Sequence, residues 1–472
     1  MKHSNQPLLV SALIVAGCAS VDPARDYERA AKLIAETTGQ ETAVDPAHPG
    51  SQEAVIQEIL REGLSSDEAV QLCLLNNPRL QADFLRIGIG RAEVVQSGLF
   101  SNPSLALSVR FPDEGGLANL GVSLAQNIAE LWQLPVRKTV AKRELDETIL
   151  TIVREASALA LETRAAYVQV QKVDRELAIL REILSLMEEF VELSLARARA
   201  GSASSLEVNF ASAERAALLI EQRRAQLALD EARSKLATLL GLTTSPQELV
   251  LTEDLGEPSI PDLSVEQILT AARRHRLDLR AAGRIVDAAA ARISLERRQA
   301  LETLDFGITF ERTERRPSDR GESVNTLLGP TVGLELPLFD QNQAQVARAE
   351  YEFLQARWLV DAIERELALE AWTAHQRSSA AFENSRFLRN DLVPLRENGL
   401  ELAREGYRAG GATILAVLEA QRTLLQARDS YVETLAEASL AEIALERVAG
   451  LPLSRIRAEP SEPKSTDEDR RP

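Results

Sequence analysis

Four histidines and two cysteines are the scarcest reactive side chains in this 472-residue sequence, and their positions bear first on whether it is an enzyme. His3, His48, His275 and His375 are scattered, and no pairing of histidine or cysteine has the spacing of a metal site. His275 stands within Arg273-Arg-His-Arg276, which reads as the basic surface of a helix. Gly88-Ile-Gly90 lies inside a helical pattern and lacks the third glycine of a dinucleotide-binding turn. No converging acid, base and nucleophile can be assembled, so the sequence predicts no catalytic residue, no metal and no cofactor.

The first cysteine has a different chemistry. Met1–Gly17 has a thin basic start at Lys2, an apolar run from Leu8 to Ala16 and small residues at its end, so it reads as an export signal too short to span a bilayer. Val15-Ala16-Gly17-Cys18 resembles the lipobox of bacterial lipoproteins, which implies that Cys18 becomes an acylated lipid anchor, and Ala19 resembles an outer-membrane address. A plain secretory signal with an incidental cysteine is the alternative. Cys73 is then alone and cannot form an internal disulfide; a small buried hydrophobe on the apolar side of a helix is its simplest reading.

The remaining candidates sit at a duplicated turn. Arg199-Ala-Gly-Ser-Ala-Ser-Ser-Leu-Glu-Val208 returns as Arg408-Ala-Gly-Gly-Ala-Thr-Ile-Leu-Ala-Val417, each time between two long helical patterns, with Glu207 and Glu419 just beyond the turns. Ala200, Gly201, Ser202, Ala409, Gly410 and Gly411 are small enough to let another backbone approach, although glycine ending a helix would also explain them. Glu207 and Glu419 read equally as solvated helix-surface acids.

The elements that position these turns are duplicated too. Leu64-Ser-Ser-Asp-Glu-Ala-Val70 matches Leu263-Ser-Val-Glu-Gln-Ile-Leu269, and each second helix ends at a glycine, Gly241 or Gly450. The chain therefore divides into a signal (1–17), an extended N-terminal arm with short helical pieces (18–63), repeat one (64–250), a linker (251–262), repeat two (263–453) and a polar tail (454–472). Aromatic content of 4% and 23 glycines fit large compact cores poorly, and the composition favours helix. A formal charge of −17 with no basic patch argues against a nucleic-acid partner.

Within each repeat a short stretch has period two. Leu105, Leu107, Val109 and Phe111 alternate with Ser104, Ala106, Ser108 and Arg110, and after an acidic Gly-rich turn Leu120, Val122 and Leu124 alternate in turn. In repeat two Leu304, Phe306, Ile308 and Phe310 alternate with Asp305, Gly307, Thr309 and Glu311. Val332, Leu334, Leu336 and Leu338 then alternate with Thr331, Gly333, Glu335 and Pro337. Four strands make no closed sheet, and open edges are not tolerated in lipid, so closure would have to come from other copies of the chain.

The longest helical patterns run from about Pro135 to Ala200 and from about Asn342 to Ala409, each about 100 Å if continuous, and Pro394 predicts a kink or break in the second. Leu177, Leu180, Leu184, Met187 and Val191 form one apolar stripe, and Ile179, Ile183, Leu186, Phe190 and Leu193 a second on the adjacent face. Two seams suit a helix in the wall of a tube and equally one inside a bundle.

Paired two-faced strands joined to helices of this length, twice over and behind a lipoprotein-like signal, resemble the TolC-type outer-membrane efflux proteins from Leu64 to about Leu453. Leu334-Glu-Leu-Pro-Leu-Phe-Asp-Gln-Asn342 looks like the family's strand-to-helix junction. Tyr407-Arg-Ala-Gly-Gly-Ala-Thr-Ile-Leu-Ala-Val-Leu-Glu-Ala-Gln421 looks like its second tip, and Ser101-Asn-Pro103 also fits.

The resemblance implies a mainly α protein with a membrane β-barrel portion: a homotrimer whose chains supply four strands each to a twelve-stranded barrel, continued by a twelve-helix periplasmic tube. It implies a tripartite efflux channel in the outer membrane, working with a periplasmic adaptor and an inner-membrane pump. Leu105, Leu107, Val109, Leu304, Phe306, Ile308, Val332, Leu334 and Leu336 would face outer-membrane lipid, and Ser108, Arg110, Asp305, Glu311 and Glu335 the lumen. The tips, Ala200–Ser202 and Ala409–Gly411, would meet the adaptor. Glu207 and Glu419 would ring the entrance, and Tyr407 with Glu207 matches a tyrosine and an acid that bond in the family's closed state; Ala412 stands where a partner arginine can occur. The alternative is a periplasmic coiled-coil adaptor or structural lipoprotein, which would carry small β-domains around one hairpin in place of two hairpins each introduced by paired strands.

Overall fold

The computed structural model describes residues 19–40, 53–111, 113, 118–243, 249–257, 263–314 and 324–458. Cys18 and the signal lie outside the described residues. The helices, in chain order, are α1 (Ala24–Thr38), α2 (Glu53–Glu62), α3 (Ser66–Asn76), α4 (Pro78–Gln96), α5 (Glu130–Arg199), α6 (Ser205–Leu239), α7 (Val265–His275), α8 (Leu277–Arg298), α9 (Gln343–Phe387), α10 (Val393–Arg408), α11 (Ile414–Ala449) and α12 (Leu453–Ala458). The strands are β1 (Ser104–Arg110), β2 (Asn119–Asn127), β3 (Leu304–Glu314) and β4 (Val324–Leu334). They form two compact units, one containing Leu85–Ile149 and Ala281–Asp361, the other Tyr27–Phe84, Leu150–Arg280 and Ala362–Pro472.

The first unit holds one antiparallel sheet in the order β1-β2-β3-β4, so both hairpins join through β2 and β3 while β1 and β4 each keep one unpaired edge. Residues opposite one another in the ladder share a face. The register pairs Leu107 with Val122, Val122 with Phe310, and Phe310 with Leu328, which carries one apolar surface across all four strands. Ser108, Gly121, Glu311 and Leu327 lie on the other face by the same register. That second face is crowded: a Cβ on Gly121 would sit 2.5 Å from Ser108 Oγ, and one on Gly307 would sit 2.6 Å from Leu124 O. Glycine at these two positions is what lets the neighbouring strand come so close.

Several boundaries differ from the sequence reading. The last strand is Val324–Leu334, so Glu335, Leu336, Pro337 and Leu338 follow it as a loop. Their alternation is misleading because Leu338 N bonds back to Leu336 O at 2.8 Å, a tight turn that Pro337 favours. The loop ends at Asn342, whose φ of 61° is held by its N–H on Asp340 Oδ1 and its amide on Glu296 O, both at 2.8 Å. The arm from 18 to 63 has α1 and α2 as its helical pieces, with Ala30 and Ile34 buried. The tail from 454 opens within α12, where Ile456 is buried.

In the second unit the double seam of α5 is filled. Ile179, Leu180, Ile183, Leu184, Met187 and Phe190 are all buried, in one cluster with Leu218 of α6, Leu400 and Tyr407 of α10, and Ile414, Val417 and Leu424 of α11. A helix with a single apolar stripe could not satisfy these neighbours together. Helix α5 is continuous over 70 residues and begins five residues before Pro135, which it contains. The helical path runs without a gap from α9 through to α10 and is not interrupted by Pro394. A π-helical turn at Leu388–Leu392 precedes it, which reseats the carbonyls that the proline ring would otherwise strike. Cys73 is fully buried, and burial pushes its thiol up to about 11, which leaves it protonated and inert.

Candidate functional site

Each tip is made by the same backbone device. Helix α5 closes with Ser202 N bonding to Arg197 O at 2.9 Å, and α10 closes with Gly411 N bonding to Gly406 O at 2.8 Å. This wrap-back needs one left-handed residue, supplied by Gly201 (φ 73°) and Gly410 (φ 79°). All six of Ala200, Gly201, Ser202, Ala409, Gly410 and Gly411 are exposed. Turn chemistry therefore accounts for Gly201 and Gly410. It does not account for Gly411, which has no positive φ and whose added Cβ would find its nearest atom 3.8 Å away.

The tips then diverge. Ser204 caps α6 in a reciprocal box with Glu207, whereas Thr413 at the head of α11 makes no side-chain cap bond. The structure brings Tyr407 to Glu207: the phenol donates to Glu207 Oε2 at 3.3 Å. Tyr407 is only 1% exposed, with Phe190 of α5 at 6.0 Å between ring centroids. A residue that the sequence reading missed completes the cluster. Arg197 of α5 lies 4.3 Å over the Tyr407 ring, donates from Nη1 to Tyr407 O, and donates from Nη2 to Ser202 O at 3.3 Å. Its only signal in sequence was a basic residue in a helix's last turn, which is common as a partner for the negative helix end.

Glu419 is not brought into this cluster. It is exposed and paired with Arg422 one turn along α11 at 2.9 Å. Farther along the same helix Asp429 is pushed up to about 6 by burial and by the carboxylates of Glu176, Glu221 and Glu433.

In the first unit Arg110 and Glu311 share the crowded face of the sheet, with a guanidinium to carboxylate distance of 3.8 Å. Asp305 lies on that face too, opposite Gly333, and Glu335 just past β4 accepts a bond from Thr303 at 2.9 Å. Such a face can line water, while the opposite one cannot. Among the described residues no group of histidine, cysteine and carboxylates is placed to hold a metal ion. No described helix is long and apolar enough to cross a membrane.

Residues 268–451 match the family model described as "Outer membrane efflux protein". The chain is 27% identical to the cobalt-zinc-cadmium resistance protein CzcC of Cupriavidus metallidurans, over 54% of this chain and 58% of that one. It is 28% identical to the pyoverdine export outer membrane protein OpmQ of Pseudomonas putida, over 64% of this chain and 62% of that one. It thus spans less than two thirds of either relative's length. Among solved structures it resembles the outer membrane protein VceC of Vibrio cholerae, with a TM-score of 0.66 at 18% identity over 82% of this chain and 96% of that one. It also resembles CusC, with a TM-score of 0.64 at 17% identity over 88% and 96%. These likenesses establish the fold.

Proposed function

We propose that the chain is a member of the outer membrane efflux protein family, set in the outer membrane and extending into the periplasm, and that it is the exit channel of a tripartite efflux system; the family-model match over 268–451 and the likeness to outer-membrane efflux proteins support this reading. Three copies close a twelve-stranded barrel, continue it as a helical tube, and receive cargo from an inner-membrane pump through a periplasmic adaptor. The observation that carries this reading is the sheet: one continuous apolar face, one small polar face, and two unpaired edges in a single chain.

An unpaired edge in hydrocarbon leaves backbone groups without partners, so β4 of one copy must pair with β1 of the next. Leu105, Leu107, Val109, Phe306, Ile308, Val332 and Leu334 then meet lipid, and Arg110, Asp305 and Glu311 meet water. The two repeats, 64–250 and 263–453, each supply a strand pair and a helical hairpin. Cys18 anchors the chain by acylation. Small exposed tip residues, Gly411 above all, receive the adaptor, and Glu207 and Glu419 bias the entrance toward cations.

The relatives are named for different cargo, one for cobalt, zinc and cadmium and the other for pyoverdine, and a shared conduit is what those names have in common. The test is extraction from outer membranes followed by native electrophoresis and planar-bilayer recording. Heat-modifiable trimers with discrete conductance are expected; a protein that becomes a soluble monomer on replacement of Cys18 would instead be an adaptor.

A further inference from the structure

We propose that Arg197 is the positioning residue that fastens the second tip to the first and sets how readily the entrance opens, an inference that rests on the channel reading above. Helices α5 and α10 deliver their C-terminal ends to the same place. Each such end presents carbonyls without helical partners and the negative pole of a helix. Two negative poles side by side repel unless a cation sits between them. The Arg197 guanidinium does so, with one nitrogen on Tyr407 O in the last turn of α10 and another on Ser202 O just past α5.

The same planar group covers the Tyr407 ring, whose neighbour Phe190 belongs to the first hairpin as well. Only a guanidinium can stack and reach two carbonyls at once; an ammonium is a point charge. By contrast, the hydroxyl contact to Glu207, at 3.3 Å, is at the long end for an O–H donor. Arginine is therefore the stronger tie and the acid the weaker one.

The cluster is also built only once. Aligning Arg199 with Arg408 sets Arg197 against Gly406, Phe190 against Gly399, Glu207 against Ala416, and Tyr407 against Ala198. Every member faces a small residue in the other copy. The first tip thus holds the second by a contact that the second tip has no means to return.

The test uses full-length trimers in planar bilayers. Arg197→Gln is expected to raise the fraction of time spent open about tenfold, and Arg197→Lys about threefold, because it keeps the charge and loses the stack. Arg199→Gln removes an exposed charge from the same helix end and is expected to change nothing. Equal behaviour of the variants at 197 and 199 would overturn the proposal. So would opening by Tyr407→Phe without opening by Arg197→Gln, which would make the hydroxyl the tie. If glutamine blocks trimer formation, the lysine variant carries the test, and wild-type opening in it overturns the assignment. If inserted trimers stay silent in every variant, including Arg197→Gln with Tyr407→Phe, the channel reading itself fails.

Discussion

In the sheet the two halves of the chain carry the same side-chain pattern, while at the tips they carry opposite ones. Leu107 in β1 and Phe306 in β3 occupy the same apolar face, as do their neighbours two residues away. At the tips Tyr407 answers Ala198 and Arg197 answers Gly406, on backbones that turn alike. The difference reflects what surrounds each region. Under the proposed barrel, lipid makes the same demand of every strand, so both copies must meet it; a contact between two tips needs a different partner on each side.

The comparison can be broken most severely in the sheet. Leu107→Arg and Phe306→Arg should each abolish trimer formation, since a charge near the bilayer midplane costs about 2–4 kcal/mol per chain, while Ser108→Arg should assemble normally. Trimer yield in outer membranes reads this, and a difference in kind between positions 107 and 306 would end the claim that the halves are alike there. At the tips aligned positions should instead move in opposite directions. Phe190→Ala should lower stability by about 3–5 kcal/mol, and its counterpart Gly399→Ala, in a helix interior with nothing within 4 Å of the new Cβ, should raise it by about 0.5–1 kcal/mol. Thermal dissociation of the trimer measures both.

The shared turn should restore equality. Gly201→Ala and Gly410→Ala should each cost about 1–2 kcal/mol, because both hold left-handed backbone, and Gly411→Ala should be silent in stability. The smallest effect concerns Asp429, which aligns with Ile220 and therefore exists in one half only. Its carboxyl is raised from 3.8 to about 6, so it favours the folded state while protonated. That contribution is fully present below the unfolded value and is lost as pH rises through about 6. After discounting for partial exposure the loss is about 1 kcal/mol, and Asp429→Asn should flatten the melting curve's pH dependence between those limits.

Strands β1 to β3 were legible because one face of each is apolar at every second residue. β4 was misplaced because its first half, Val324-Asn-Thr-Leu-Leu-Gly-Pro330, sets Leu327 and Leu328 side by side, while Leu336 and Leu338 beyond its end imitate the period. The double stripe of α5 was legible, and Ile179, Leu180, Ile183, Leu184, Met187 and Phe190 of it are buried. The arm was read as extended with short helical pieces, of which α1 and α2 are two, and the π-turn before Pro394 is a local adjustment with no residue signature. Of the tip cluster, Tyr407 and Glu207 were named and do meet. Arg197 was missed because a long side chain reaching across to another hairpin leaves no mark in linear spacing, and Glu419 was named but stands apart from the cluster, paired with Arg422 on its own helix.

The two open edges of the sheet also set a clock. β1 has 7 residues and β4 has 11, both with unpaired backbone, and Leu105 and Leu107 beside one of them are 71% and 69% exposed. A single chain is thus an adhesive intermediate whose edges will join any strand they meet, including those of wrong partners. If the proposed trimer is correct, its survival depends on finding two siblings sooner than a protease or an aggregate finds it, and the supply rate of chains, as much as their stability, then governs how many assemblies are completed.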